Sequence, residues 1–450
     1  MRLSVIKNSV IFLSANLYCF IGLFECQLSG WASSIINLLL KEGKMRGMKR
    51  LFLVFCLVGV LGFLSSQTWA AEKTPVKQLS QVPLSGKAGS FPETGWGILD
   101  AAEYVNQHGG VNGRTLEVIL EDMQYDSAVS LRSYNRVLSE YSKKELLLHT
   151  GWHTGFLLAN AKRVKKETHL ACVDGSMSSA IFNENVRENF PYYFTMGLSY
   201  GDQVGFVYKY IKETLHKGKG KPNVAFVYIE GPAGRDPIKK MHMYAERFGI
   251  NVVLEEPVTY TMTDYTPTMV KIRKSKAEYV FLWSFATPVS TRFLKAAKSY
   301  LPKTKILGMN YLGYESLFET AGKAVDNVYA VCLYPKPHET DNPVVKLLLD
   351  TIKKKGRKVK VWDLYIECFV GGLICAEGAK RADKAGDLTR EGIRTALENI
   401  TDYKVLGLYN GKPLDYTYHC LSLARLVKAD FSKKAFISVT DWIKVRDYVK

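Results

Sequence analysis

The sequence predicts an α/β fold made of two doubly wound lobes, each a parallel sheet with helices on both faces. Three observations lead there. From Thr74 onward, short apolar runs alternate with longer amphipathic ones, the β-α-β-α order that builds a parallel sheet. The alternation restarts after residues 190–203, "FPYYFTMGLSYGDQ", so there are two such series. With 450 residues, 47% hydrophobic and 23% charged, the chain has material for two ordinary globular domains.

The elements follow in order. "VKQLSQVPL" is a strand leading into a helix from Pro92 to Gln107, closed by His108-Gly109-Gly110. "RTLEVILED" is a strand, "SAVSLRSYNRVLSEY" a helix, "ELLLHT" a strand, "GFLLANAKRVKKE" a helix and "THLACVD" a strand. The second series opens with a helix over Val204–Leu215. Strands "NVAFVYIE", "INVVLEEPV", "EYVFLWSF" and "TKILGMN" then alternate with helices "PIKKMHMYAERFG", "PTMVKIRKSKA" and "TRFLKAAKSY". Past residue 325 come "NVYAVCLYP" and a helix over 342–355. A long helix from Trp362 carries Trp362, Tyr365, Cys368 and Phe369 as an apolar stripe, and another helix covers 389–399. "CLSLARLVKADFSKKAFISV" reads as a β-hairpin with a polar turn. Right-handed crossovers place the strand C-termini of each sheet on one edge, where small ligands settle.

The first 70 residues differ from the rest. Residues 9–24 are apolar but fall short of the roughly 20 residues a membrane span needs. Met48-Lys49-Arg50, the apolar run Leu51–Leu64 and the small and polar residues 65–71 form the order of a secretory signal. Residues 48–70 are therefore expected to be a signal peptide cleaved after Ala70, and residues 1–47 an upstream extension absent from the mature protein. Such a chain is delivered to the periplasm. No apolar segment long enough to span a membrane follows the signal, so a membrane partner is reached by docking.

Residues 71–450 hold 54 Lys/Arg against 41 Asp/Glu, a net charge of +13. The lysines are scattered over helix faces and loops without interleaved aromatics, which argues for a solvated surface and against nucleic acid. Cys172, Cys332, Cys368, Cys375 and Cys420 remain, none in a CxxC pair and each in an apolar context, so buried thiols are expected.

The turn "HTGWHTG" (149–155) joins a strand to a helix on the ligand edge of the first lobe. It places Thr154 at the helix N-cap, beside unpaired N–H groups and the positive end of the helix dipole. The hydroxyl either caps its own helix or helps receive an anionic group, a carboxylate especially. His149 and His153 have the spacing of a helical zinc pair, but they straddle a strand end and a turn, so no metal is expected. No GxSxG, GxGxxG or P-loop occurs, "GPAGRD" lacks the Lys-Ser/Thr that would meet a nucleotide, and neither catalysis nor a cofactor is expected.

Residues 82–138, "VPLSGKAGSFPETGWGILDAAEYVNQHGGVNGRTLEVILEDMQYDSAVSLRSYNRVL", resemble the N-terminal signature of the branched-chain amino acid (leucine/isoleucine/valine)-binding family, the periplasmic substrate-binding proteins of ABC importers. The order of elements matches through residue 450. The resemblance implies a type I periplasmic binding protein: two Rossmann-like lobes, a three-segment hinge and a cleft that closes on ligand. It divides the chain into lobe 1 (74–198 plus 330–405) and lobe 2 (199–329 plus 406–450). Its partners would be a small-molecule ligand and an ABC permease complex at the inner membrane, with the binding protein a monomer. A ligand-sensing protein for a membrane receptor is the alternative with the same cleft.

The same resemblance assigns the site. Thr154 and Gly155 fall where the ligand carboxylate is held, Gly175, Ser176 and Met177 on the turn after the next strand, and Phe91 on an aromatic position. In the second lobe, Phe285 falls on an aromatic position and Asn310 where the family has an acid for the ligand's ammonium. An amide cannot neutralise an ammonium, and a buried unpaired cation costs several kcal/mol. Ala233 stands nearest to a missing tyrosine. Trp152, Phe91, Phe285 and Tyr311 would wall an apolar pocket, with His153 and Thr154 meeting an acid or amide. The expected ligand is therefore an organic acid, amide or aromatic carboxylate.

Overall fold

The first lobe is built on five parallel strands in the order β2-β1-β3-β4-β5: β1 (Val76–Val82), β2 (Leu116–Asp122), β3 (Leu146–Thr150), β4 (Ala171–Asp174) and β5 (Tyr193–Thr195). Helices α1 (Pro92–Gln107), α2 (Ser127–Glu140) and α3 (Thr154–Arg163) connect β1 to β4 in turn. All five residues of β3 are buried, as expected for a strand covered on both faces. This computed structural model describes residues 73–86, 90–284 and 287–450. The expected upstream extension (1–47), the signal peptide (48–70) and Phe285 lie outside them.

The second lobe repeats that order. Strands β6 (Asn223–Ile229), β7 (Asn251–Val258), β8 (Tyr279–Trp283), β9 (Lys305–Gly308) and β10 (Tyr329–Cys332) lie as β7-β6-β8-β9-β10, all parallel. Helix α4 (Tyr200–Tyr210) leads in, and α5 (Ile238–Phe248), α6 (Thr266–Lys274) and α7 (Thr287–Tyr300) are the crossovers. The predicted hairpin is present as β11 (Leu423–Asp430) and β12 (Ala435–Ser438), antiparallel to each other, with β11 also antiparallel to β10.

The chain passes between the lobes three times: after β5, after β10, and again before β11. Between the last two passages it returns to the first lobe as α8 (Pro343–Lys355), α9 (Trp362–Lys384) and α10 (Arg390–Glu398). Helix α9 packs along α1, with Tyr365 donating from its hydroxyl to Asp100 at 2.6 Å, while α10 backs β3 and β4. Among the described residues all five cysteines are buried and unpaired with one another. Among the described residues no helix is long and apolar enough to cross a membrane.

Two expected helices differ at their ends. The helix expected from Val204 starts at Tyr200, where Ser199 accepts from the Asp202 N–H, and its last turn over Ile211–Leu215 is π-type. The helix after the 149–155 turn likewise ends in a π-type turn over Val164–Thr168. The wider turn lets an amphipathic helix continue while its apolar face is re-aimed toward the core.

Candidate functional site

In the order 2-1-3-4-5 the chain reverses direction between the first and third strands of each series, and the loops beyond those strand ends leave a crevice. Here the loops after β2 and β3 of the first lobe face those after β6 and β7 of the second. Two connected spaces lie between them, and Tyr125 borders both.

The outer one is a cleft of about 490 Å³. Its first-lobe wall is Tyr125–Ala128 and His153–Gly155, and its second-lobe wall is Ile229–Gly234 with Tyr260. In the second wall Gly231, at φ 132°, holds a conformation that a side chain would strain and opens the short helix Pro232–Arg235. Two carboxylates reach this cleft, both engaged: Asp126 accepts from the N–H groups of Ala128 and Val129, and Glu230 accepts from Arg235 at 2.7 Å.

At the first-lobe wall the structure corrects the expected cap. His153, not Thr154, is the N-cap of α3, and its Nδ1 accepts from the Phe156 N–H at 2.9 Å. An acceptor at Nδ1 leaves the Thr154 hydroxyl for another role. Thr154 is the first helical residue, 2% exposed, and its hydroxyl shares a 2.7 Å hydrogen bond with Ser176. Helix geometry leaves the N–H groups of Thr154 and Gly155 without partners inside the helix, next to the dipole's positive end. Asp174 supports the pair from below, accepting from the Ser176 N–H at 2.6 Å and from the Cys172 thiol. Burial raises the Asp174 carboxyl to about 7.

The inner space is a chamber of about 30 Å³, little more than a water's room. Pro83, Phe91, Tyr125, Trp152, Gly175 and Leu364 of the first lobe border it together with Tyr200, Tyr311 and Tyr314 of the second. Trp152 lies so close on Gly175 that a Cβ there would stand 2.2 Å from the indole. Behind Tyr311, Trp283 stacks on its ring at 5.3 Å and touches Tyr200 at 5.0 Å, fixing the far wall.

The lobes are also joined beside the cleft. Asp236 of the second lobe accepts from the Ser178 hydroxyl, from the Ser179 N–H at 2.6 Å and from the Ala180 N–H at 3.3 Å. Burial pushes its carboxyl above the usual range.

The predicted residues therefore divide. His153, Thr154 and Gly155 line the outer cleft, and Phe91, Trp152, Gly175 and Tyr311 line the chamber. Ser176 stands behind Thr154. Met177 and Asn310 line neither space: Met177 is fully buried against Gly197 and the Gln203 amide, and the Asn310 N–H donates to Gln203 at 3.0 Å. Asn310 is still notable, because its buried side-chain oxygen has no hydrogen-bond partner. Phe285 lies outside the described residues. His149 is in the core, bonded to Gln81 at 3.0 Å and held neutral by burial, its pKa lowered to about 3. Tyr125, Tyr200, Tyr260 and Tyr314 were not foreseen. Tyr260, from the loop after β7, supplies on the second-lobe wall the ring that the sequence lacks near Ala233.

Comparison with known proteins agrees with this architecture. Over 363 residues the chain is 23% identical to the leucine-, isoleucine-, valine-, threonine-, and alanine-binding protein of Pseudomonas aeruginosa, covering 79% of this chain and 90% of that one. It superposes with a TM-score of 0.72 on a branched-chain amino acid ABC transporter protein from Thermus thermophilus with bound valine, at 22% identity, over 83% of this chain and 98% of that one. A fatty acid ABC transporter substrate-binding protein from Thermomonospora curvata gives 0.70 at 21% identity, over 83% and 94% of the two chains. The family model described as periplasmic binding protein matches residues 81–429, and with its paired 2-1-3-4-5 sheets and three interlobe passages the chain belongs to that family.

Proposed function

We propose that the chain is an extracytoplasmic solute-binding protein that captures a small organic ligand between its lobes and delivers it to an ABC permease. Residues 48–70 direct it to the periplasm, where it acts as a monomer without catalysis. The observation that carries the reading is the N-terminus of α3, with Thr154 and Ser176 paired at 2.7 Å, opening on a cleft of about 490 Å³ whose opposite wall belongs to the other lobe. Amino acids and fatty acids, the ligands named for the relatives, share a carboxylate, and a helix N-terminus is suited to receive one. The rings would wall an apolar or aromatic body once the chamber, now little larger than a water, opens. An organic acid, amide or aromatic carboxylate fits both.

A ligand touching both walls favours the closed arrangement over the open one, so binding shifts the population toward the shape a permease reads. Native mass spectrometry of protein purified without refolding, followed by a thermal-shift panel, tests the reading. Organic or aromatic carboxylates are expected to raise the melting temperature. Tight binding of leucine with no response to such acids would contradict the ligand class.

A further inference from the structure

Lysines that are scattered along the sequence are gathered by the topology. The register of the second sheet sets the starts of its parallel strands side by side: Asn223 lies beside Asn251, Val224 beside Tyr279, Tyr279 beside Lys305 and Leu307 beside Tyr329. Strand β11 runs the other way, so its Lys428 falls beside Tyr329 and the turn into β12 joins the same edge. The loops meeting there, 216–222, 275–278, 301–304, 326–328 and 431–434, hold seven lysines against two acids. The cleft is bordered by loops at the opposite end of the sheet, after β6 and β7. The seven residues of β6 put about 20 Å between the two ends.

The acids of this edge are already engaged. Glu278 accepts from the Asn223 N–H at 3.1 Å, and Asp326 from the Phe431 N–H at 3.1 Å and the Asn327 amide at 3.0 Å. Asp430, at the end of β11, takes the Ser432 hydroxyl at 2.6 Å and the Lys433 N–H at 3.1 Å. The loop lysines, by contrast, are all exposed, and Lys433 alone of the seven stands near an acid among the described residues, 3.7 Å from Asp430. The negative ends of the helix dipoles account for cations in last turns, such as Lys271, Arg273 and Lys274 of α6. They do not account for the loops beyond, where the dipole has faded. Part of the charge converges on a hollow of about 360 Å³ between α7 and the start of β10, lined by Lys298, Lys303, Lys305 and Lys428 with Asp326 as its acid. A protein partner needs apolar and aromatic contact at the centre of its footprint, which loop lysines do not supply. A surface of repeated anionic groups needs only the density of positive charge.

We propose that this edge of the second lobe docks on anionic phospholipid, with the 217–221 loop and Lys303 against the headgroups and a headgroup phosphate entering the hollow beside Lys298 and Lys305. The protein is thereby held at a membrane surface by charge alone, and the cleft, at the other end of the sheet, stays open to solute. The surface is separate from the cleft and independent of which ligand the cleft takes.

Sedimentation of the exported protein with vesicles tests the surface, pure phosphatidylcholine being compared with phosphatidylcholine mixed with phosphatidylglycerol. Binding is expected to the mixed vesicles only, and to fall as salt is raised. Lys217→Glu, Lys219→Glu and Lys221→Glu together, on an exposed loop where folding is kept, should weaken it by about a hundredfold, from roughly fivefold for each lysine lost. A control with the same change in net charge, Lys162→Glu, Lys166→Glu and Lys239→Glu, alters exposed lysines away from this edge and should stay within about threefold of wild type. Equal binding to both kinds of vesicle, binding to neither, or an equal loss in the two triple variants overturns the proposal. Release from the vesicles by a short polyglutamate peptide at matched ionic strength overturns it as well, in favour of an acidic protein partner. None of these outcomes bears on solute capture, which the thermal-shift panel reads separately.

Discussion

The outer cleft and the inner chamber lie side by side and are made of different material. The cleft is walled largely by turns: a helix start on one side, the Gly231–Gly234 turn on the other. The chamber is walled by side chains, six of them aromatic, from segments far apart in sequence. Main-chain donors at a helix start serve almost any carboxylate, whereas a fitted set of rings discriminates by shape and charge. On the proposed reading, the cleft would receive the carboxylate and the chamber would select among ligands that carry one.

That contrast can be tested by attacking each space separately. The largest effect is expected at Asp174, which underlies both. Its carboxyl holds its proton up to about pH 7 in the folded protein, whereas the unfolded chain loses it near 3.8. Between about pH 4 and 7 the unfolded state therefore releases a proton the folded state keeps, and stability falls as pH rises through that window, by an amount on the order of several kcal/mol. In urea melts from pH 4.5 to 8, Asp174→Asn should flatten the decline over its lower part. Glu315, raised to about 8 by burial, has the same sign and continues the decline above it. A variant with an unaltered profile would remove Asp174 from the account.

Next comes the chamber. Gly175→Ala drives a Cβ into the Trp152 indole, which must swing toward the rings, at a cost of about 1–3 kcal/mol in stability. Ligand affinity should fall at least about tenfold. Full affinity in calorimetry would show that the chamber takes no part in binding. Asp236→Ala then removes three hydrogen bonds between the lobes and leaves two N–H groups exposed to loss, costing about 1–2 kcal/mol. Small-angle scattering should report a more open molecule without ligand. The smallest change is Thr154→Ala, about 1 kcal/mol or roughly fivefold in affinity with the melting temperature nearly kept. An affinity equal to wild type would reduce Thr154 to a structural partner of Ser176.

How far the sequence could be read follows the same division. Strand and helix order, the hairpin of β11 and β12 and the placement of His153–Gly155 at the C-terminal edge of the first sheet were legible, because each depends on local periodicity and turn chemistry. The cap was misassigned between neighbours: histidine is an unusual cap, and Thr154 had the more familiar chemistry. Tyr125 was hidden by its backbone, since Gln124 and Tyr125 both take left-handed conformations, at φ 51° and 50°, in a turn without glycine. Tyr200, Tyr260 and Tyr314 come together only through tertiary packing. Asn310 and Met177 were placed in the right neighbourhood but behind the wall, because position along a strand end says nothing about which way a side chain is covered.

The edge of the second sheet has a consequence for how the molecule forms. Strand β10 receives its outer neighbour from residues 423–430, after the chain has gone back to furnish three helices of the other lobe. Until those late residues arrive, β10 keeps an open flank, and the second lobe cannot finish ahead of the first. The segment that closes the second sheet is thus the last long strand of the described chain.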